Sequence, residues 1–588
     1  MGANAWAELG DLAFDAVILG VPAISGLFLA HRLKVRSRAV QAIFVLSAPC
    51  LLAYVAGGFY LISPSAGRLV TYVCYGAFIA VAVYLGAALK RRLFRIVVAW
   101  LPLVGMTLGA AAFCLGLGYL HGYTTHPVLE ALAVATPRFR YLRSLPTDNT
   151  LPLAFASQLL SRVRPLPHFL INGWESSDRP PLQTAMYLVV HAFTPSGDTS
   201  GLNYEVTGVL LQSLWMPALW CFLSAARLPR RAIAVGLAVS LTSGFVILNS
   251  FFTWPKLFPA AFIVLLGAVV FTDQWDGQRS SVVAGLACGL ASAMAMLGHE
   301  GSALALLPLV VFVAARVRSW PRLRFVLPAV LVFVSLMVPW TLYQSHYDPP
   351  GTKLAKQQLG GPAAVQSHKG LVSSIVAAYD RLDAGQIAHN KLTNLETPFS
   401  NEGVELKSLV KLGTNLFADG GKGGSRRDSA IIELRNLSFF YLLPAIGLMA
   451  LGFFSLALLV MRRRARSPSA RVAVRTWAWL ALGLFFWALL LFGPRYTVIH
   501  QGSYATELLV LGATTIGLWE LSHRLTYVVA AFQVALGVIV YGVFQPSLTK
   551  VHTVVPPAIG DEAALAIVGI VVALALAIVA KDGEVSSA

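Results

Sequence analysis

Apolar runs close to the length of a bilayer crossing recur along the whole chain, and they constrain its fold more than any motif does. About fifteen can be placed by composition. They lie near 12–30, 40–62, 67–88, 96–119, 203–225, 232–250, 257–272, 281–297, 302–315, 325–343, 437–461, 476–493, 503–521, 525–544 and 562–580. A helix needs about 20 apolar residues to cross a hydrocarbon core about 30 Å thick. Only 12% of the 588 residues are charged, against about 25% in a soluble domain. These features predict an all-α integral membrane protein, a polytopic helical bundle of about 15 transmembrane helices.

The formal net charge is +18, a balance that in a soluble chain would raise the question of nucleic-acid binding. The basic residues here sit in short loops between apolar runs, so topology and lipid headgroups account for them, and no nucleic-acid partner is expected. Alternate loops are rich in them: Arg32/Lys34/Arg36/Arg38, Lys90/Arg91/Arg92/Arg95, Arg227/Arg230/Arg231, Arg316/Arg318/Arg322/Arg324, and Arg462/Arg463/Arg464/Arg466/Arg471/Arg475. The intervening short loops carry Arg68, Lys256, Arg495 and Lys550. By the positive-inside rule the rich set is cytoplasmic. The N-terminus then lies outside and the C-terminus inside, with both long polar loops, 121–202 and 344–436, on the extracytoplasmic side of a bacterial-type plasma membrane. Glu8, Asp11 and Asp15 stand where a signal peptide would have a basic region, so the first apolar run reads as a retained helix. Cys50, Cys74, Cys114, Cys221 and Cys288 each lie in an apolar run and read as small core residues.

The division that follows is 1–95, N-terminal helices; 96–343, a transmembrane core containing the loop 121–202; 344–436, an extracytoplasmic cap; and 437–588, C-terminal helices. The loop 121–202 contains three stretches of helical composition, near 127–136, 150–163 and 181–195, expected to lie as juxtamembrane helices around a cleft. Nucleotide sugars and ATP are cytoplasmic, and no GxxxxGK[ST] or GxGxxG motif faces that side. An enzyme working on the other face would draw its activated group from a lipid carrier.

The candidate chemistry lies in that loop and in the short outer turns. Asp148, in Leu-Pro-Thr-Asp-Asn, either caps the next helix or acts as a general base on an acceptor hydroxyl. In Trp174-Glu175-Ser-Ser-Asp178-Arg179-Pro180-Pro181-Leu182, Asp178 and Arg179 either pair with each other or act separately. Arg179 would then hold a phosphate through its guanidinium fork, and Asp178 or Glu175 would position the acceptor or the base. Lys256 in Thr-Trp-Pro-Lys reads as a snorkelling interfacial lysine or a phosphate ligand. His299 and Glu300 form a pair that is costly at a membrane surface unless it faces a polar cavity. Arg495, in Gly-Pro-Arg-Tyr, is a further phosphate candidate, with His500 nearby. His121, His126 and His168 are too irregularly spaced to predict a zinc site.

An Asp before a juxtamembrane helix, followed about thirty residues later by an acid, a base and Pro-Pro-Leu, resembles the first extracytoplasmic loop of GT-C glycosyltransferases. It is most similar to the branch of protein O-mannosyltransferases and lipid A aminoarabinose transferases. Asn149 stands where that family often has a second acid, so a divalent metal is not favoured and no cofactor is expected. The resemblance implies a GT-C-like fold and an inverting transfer. The sugar would pass from a polyprenyl-phosphate donor to a cell-envelope glycan, glycolipid or protein acceptor, with Asp148 as base. Two other readings remain: a flippase or transporter of lipid-linked sugars, and a glycan polymerase or ligase using pyrophosphate-linked donors. A transporter would place ionisable groups near mid-helix, whereas here they crowd one end. A polymerase site would want a denser arginine cluster than Lys422, Arg426 and Arg427.

Overall fold

A computed structural model describes residues 5–124, 132–140, 147–163, 166, 170, 174–194, 201–272, 281–316, 322–347, 352–396, 410, 414, 448–461, 467–493, 503–543, 554–555 and 559–580. Helices dominate them, as the apolar periodicity predicts. The first four are α1 (Ala5–Arg32), α2 (Arg38–Tyr60), α3 (Pro64–Leu89) and α4 (Leu93–Tyr119). Ser37 and Ser63 begin α2 and α3 by accepting from the amides of Val40 and Ala66, which is N-capping by a hydroxyl. Three short helices follow in the first long loop: α5 (Leu132–Arg140), α6 (Leu151–Leu160) and α7 (Leu182–Phe193).

The central part is made of shorter pieces. They are α8 (Leu202–Gln212), α9 (Trp215–Ala225), α10 (Arg230–Leu241), α11 (Gly244–Phe251), α12 (Leu257–Val270), α13 (Val282–Gly298) and α14 (Ala303–Arg316). Then come α15 (Leu323–Tyr347) and three helices of the second long loop: α16 (Lys353–Val365), α17 (Leu371–Tyr379) and α18 (Ala384–Glu396). The last five are α19 (Leu448–Met461), α20 (Pro468–Leu490), α21 (Ser503–Leu521), α22 (His523–Val538) and α23 (Ile559–Val579).

Among the described residues, 9 helices are long and apolar enough to cross a membrane, or 10 if α10 and α11, bent by 63°, form one span. These apolar helices fit a multi-pass membrane protein. Two of the shorter apolar pieces, α7 and α12, sit inside the bundle, whereas α14 exposes Leu307 and Val310. All of α12 is buried, and its 14 residues reach only about 21 Å at 1.5 Å per residue. The stretch 182–190 of α7 is likewise buried on every side, which corrects the expectation of a half-exposed helix lying across the top of the bundle. Exposed apolar side chains lie instead on α3, α15 and α23, as expected for faces turned to lipid.

Several contacts tie the first and last described helices to the core. Helix α23 packs on α4 where glycines let backbones meet: a Cβ on Gly109 would stand 2.7 Å from the Gly569 carbonyl oxygen. Small residues at such crossings are how membrane helices gain close packing. A two-residue antiparallel bridge then pairs Tyr123 with Val555 and Thr124 with Val554. Close by, the Tyr123 hydroxyl donates to Glu8 at 3.0 Å. Further along α1, Asp15 accepts from Thr207 at 2.6 Å and Asn203 at 3.3 Å on α8.

Candidate functional site

Asp148 does not cap a helix. It lies in a short 3-10 turn, Thr147–Thr150, and α6 starts after Thr150 without a side-chain cap. The turn is held by its neighbours. Asn149 donates to the Val134 carbonyl at 2.9 Å, Tyr204 donates to the Asn149 carbonyl at 2.8 Å, and Thr150 closes back on Thr147 at 2.6 Å. That leaves the Asp148 carboxylate facing Arg179, whose Nη2 lies 2.9 Å from Oδ2. Both side chains are 11% exposed, so this pair is screened by water far less than a surface bridge would be.

Asp178 and Arg179 therefore do not pair with each other. Asp178 accepts from the Glu175 amide at 2.8 Å and completes a reciprocal cap on the turn Ser176–Asp178. It also accepts from Lys353 at 3.3 Å, a residue of α16 in the second long loop. Nearby, Ser176 bonds the Tyr343 hydroxyl at 2.6 Å, and Gln344 donates both to the Ser177 carbonyl at 3.0 Å and to Glu300 at 2.9 Å. The turn that presents Arg179 is thus clamped by α15 and α16.

The Arg179 guanidinium carbon lies 4.4 Å from the Trp174 ring centre and 6.0 Å from that of Trp254. Both distances lie within the reach of a cation–π attraction, which favours the charged guanidinium beside the rings. Its Nε–H is buried and has no acceptor among the described residues, although an unpaired buried donor costs about 1–3 kcal/mol. Across the Trp254 ring sits Lys256, with Nζ 4.2 Å from the ring centre and 2.5 Å from His299 Nε2. Lys256 is 2% exposed, so it does not snorkel to water. Burial pulls its ammonium well below the ordinary lysine range, the Arg179 charge adds to that, and Asp148 opposes it. Burial pushes the Glu300 carboxyl up to about 7, partly offset by the Gln344 hydrogen bond and the Arg179 charge.

The helices place Lys256 through a polar seam that periodicity does not reveal. Gln212 Oε1 accepts from the amides of Lys256, Leu257 and Phe258 at 3.3, 2.9 and 3.0 Å, satisfying the start of α12 in place of a cap. Gln212 in turn donates to Gln183 at 3.1 Å, and Gln183 reaches the Thr253 carbonyl at 2.6 Å and the Tyr204 hydroxyl at 3.1 Å. One network therefore fixes both the Asp148 turn and the Lys256 turn.

Glu175, Asp178 and Arg179 share one turn; Asp148, Lys256, His299 and Glu300 are drawn to it from three other segments. Arg495, His500, His126 and His168 lie outside the described residues, as do Lys422, Arg426 and Arg427. Lys353, Gln344, Tyr343, Gln183 and Gln212 escaped the sequence reading. They belong to apolar helices or to a distant loop, and nothing in their local pattern sets them apart.

Beside the Ser176–Asp178 turn an apolar groove of about 300 Å³ runs between α2, α6, α7 and α15. Its walls include Tyr54, Phe155, Leu159, Leu188, Trp340 and Tyr343. Tyr343 serves both regions, lining the groove while its hydroxyl bonds Ser176, and Trp340 stacks on it with ring centres 5.2 Å apart. Comparison of the chain with protein-family models, with characterised proteins and with solved structures finds no match.

Proposed function

We propose that this protein is a GT-C-type membrane glycosyltransferase that moves a sugar from a polyprenyl-phosphate donor to an extracytoplasmic acceptor. The observation that carries the reading is the buried guanidinium of Arg179. It lies near two tryptophan rings, one of its donors has no acceptor among the described residues, and an apolar groove adjoins its turn. A phosphate would supply the missing acceptor, and a prenyl chain suits the groove.

In the proposed mechanism the donor phosphate draws the Arg179 fork towards itself. Asp148 loses its partner and becomes free to take the proton of an acceptor hydroxyl. The hydroxyl oxygen bonds to the anomeric carbon as the bond from that carbon to the phosphate oxygen breaks. The electron pair leaves on the polyprenyl phosphate, whose new charge Arg179 and Lys256 receive. Inversion follows from attack opposite the leaving group. Asp178, through the reciprocal cap with Glu175 and its pairing with Lys353, holds the Arg179 turn. His299 and Glu300 line the acceptor side, and Arg495 is a further phosphate ligand in this reading. No metal takes part.

The test is transfer by purified protein in nanodiscs and proteoliposomes, with radiolabelled polyprenyl-phosphate sugars and a membrane extract as acceptor source. Label is expected to move from lipid to acceptor. Unconsumed donor that instead crosses the bilayer would replace this reading with a flippase.

A further inference from the structure

Lys256 reads from sequence as a snorkelling lysine or a phosphate ligand, a cation in either case, but its hydrogen bonds are incompatible with a resting charge. The Gly301 amide donates to His299 Nδ1 at 2.9 Å. A backbone N–H can only donate, so Nδ1 is an unprotonated acceptor. An imidazole at physiological pH has at least one protonated nitrogen, which leaves the proton on Nε2. That N–H points at Lys256 Nζ, 2.5 Å away, and an ammonium has no lone pair with which to accept it. Lys256 must therefore be an uncharged amine. The surroundings agree: it is buried beside a second cation, Arg179, and its ring neighbours are Trp254 and Tyr504. Asp148, which favours the charged form of Lys256, is paired with Arg179.

We propose that the Lys256–His299 pair makes phosphate binding proton-linked: Lys256 takes up one proton from solvent as a phosphate-bearing lipid enters, and gives it back when that lipid leaves. This rests on the reading of the site as a phosphate site. The balance is simple. The amine lone pair takes a proton, the resulting ammonium turns its donors to a phosphate oxygen, and His299 keeps its Nε2 proton and gives up its contact with Nζ. At rest the pocket thus carries the neutral sum of Asp148 and Arg179 around an uncharged lysine. When occupied by a singly charged phosphodiester, the phosphate and the new ammonium cancel. The pocket stays neutral in both states, which a low-dielectric site favours.

The test is isothermal calorimetry of the whole protein in detergent with a short-chain prenyl phosphodiester, whose single charge does not titrate near neutral pH. Titrations at one pH in two buffers of different ionisation enthalpy count the protons taken up. Wild type is expected to take up one proton per phosphodiester bound, and its affinity to fall as pH rises, by about tenfold per unit where the empty site holds the amine and the occupied site the ammonium, the linkage for one proton. Lys256→Arg, permanently charged, is expected to bind without proton uptake and without that pH slope. Lys256→Met is expected to bind weakly, also without uptake. Binding by wild type with no uptake, or uptake retained in Lys256→Met, would overturn the proposal while leaving the phosphate site standing. No binding at any pH would overturn both.

Discussion

Arg179 is the residue on which the proposed site turns, because among the described residues it meets Asp148, Trp174 and Trp254 and keeps an unfilled hydrogen-bonding direction. Replacing it with lysine keeps a charge but removes the fork and the flat stacking surface. Arg179→Lys is expected to weaken prenyl phosphodiester binding by roughly 10- to 100-fold, the value of a charged hydrogen bond of about 1.5–3 kcal/mol, as measured by calorimetry. Glu300 provides a second residue-scale prediction. Its carboxyl titrates near about 7 in the folded protein, above the ordinary glutamate value of about 4.3. The folded state therefore binds more protons than the unfolded state between those values, and the contribution to stability is lost as pH rises through that window. The melting temperature should fall between about pH 5 and pH 8, and Glu300→Gln, which still accepts from Gln344, should flatten that slope. An unchanged slope in the variant would mean that Glu300 titrates normally.

At the scale of elements, the start of α12 and the crossing of α4 with α23 bear the most weight. Gln212→Ala leaves the amides of Lys256, Leu257 and Phe258 without their acceptor. It is expected to cost about 1–3 kcal/mol, visible as a lower melting temperature, and to reduce transfer because Lys256 is no longer fixed. A cost without any loss of transfer would separate the seam from the site. The helices themselves were legible in the sequence, since an apolar run near 20 residues has few other folds open to it. What was not legible was which short runs are interior. The burial of α7 and α12 depends on partners such as α2 and α9, distant in sequence. The same reason hid Lys353 and Gln344: each acts on the Ser176–Asp178 turn from more than a hundred residues away, and no local spacing records that. Asp148 and Arg179 stand out in the sequence as charged residues in a polar loop between apolar runs, Arg179 directly before Pro180-Pro181. Their pairing was not legible there, and the cap expected of Asp148 gave way because Thr150, not Asp148, adjoins the helix.

For the molecule as a whole, the charge pattern predicts an orientation that labelling can check. A cysteine in place of exposed His368, which follows α16, is expected to react with a membrane-impermeant maleimide in right-side-out vesicles, whereas one in place of exposed Arg36 is expected to react only after lysis. The five native cysteines are buried or half-buried, which keeps the background low. The reverse pattern would put the site on the side of soluble nucleotide sugars and remove the need for a lipid-linked donor. The central claim, that Asp148 is the base of a transferase, is tested most directly by single-turnover transfer from a labelled polyprenyl-phosphate sugar, comparing wild type with Asp148→Asn. Asparagine keeps the shape and can still accept from Arg179, so the melting temperature should change little, while the rate should fall about 100- to 10,000-fold, the usual contribution of a general base. Near-normal transfer by a folded Asp148→Asn protein would contradict the account.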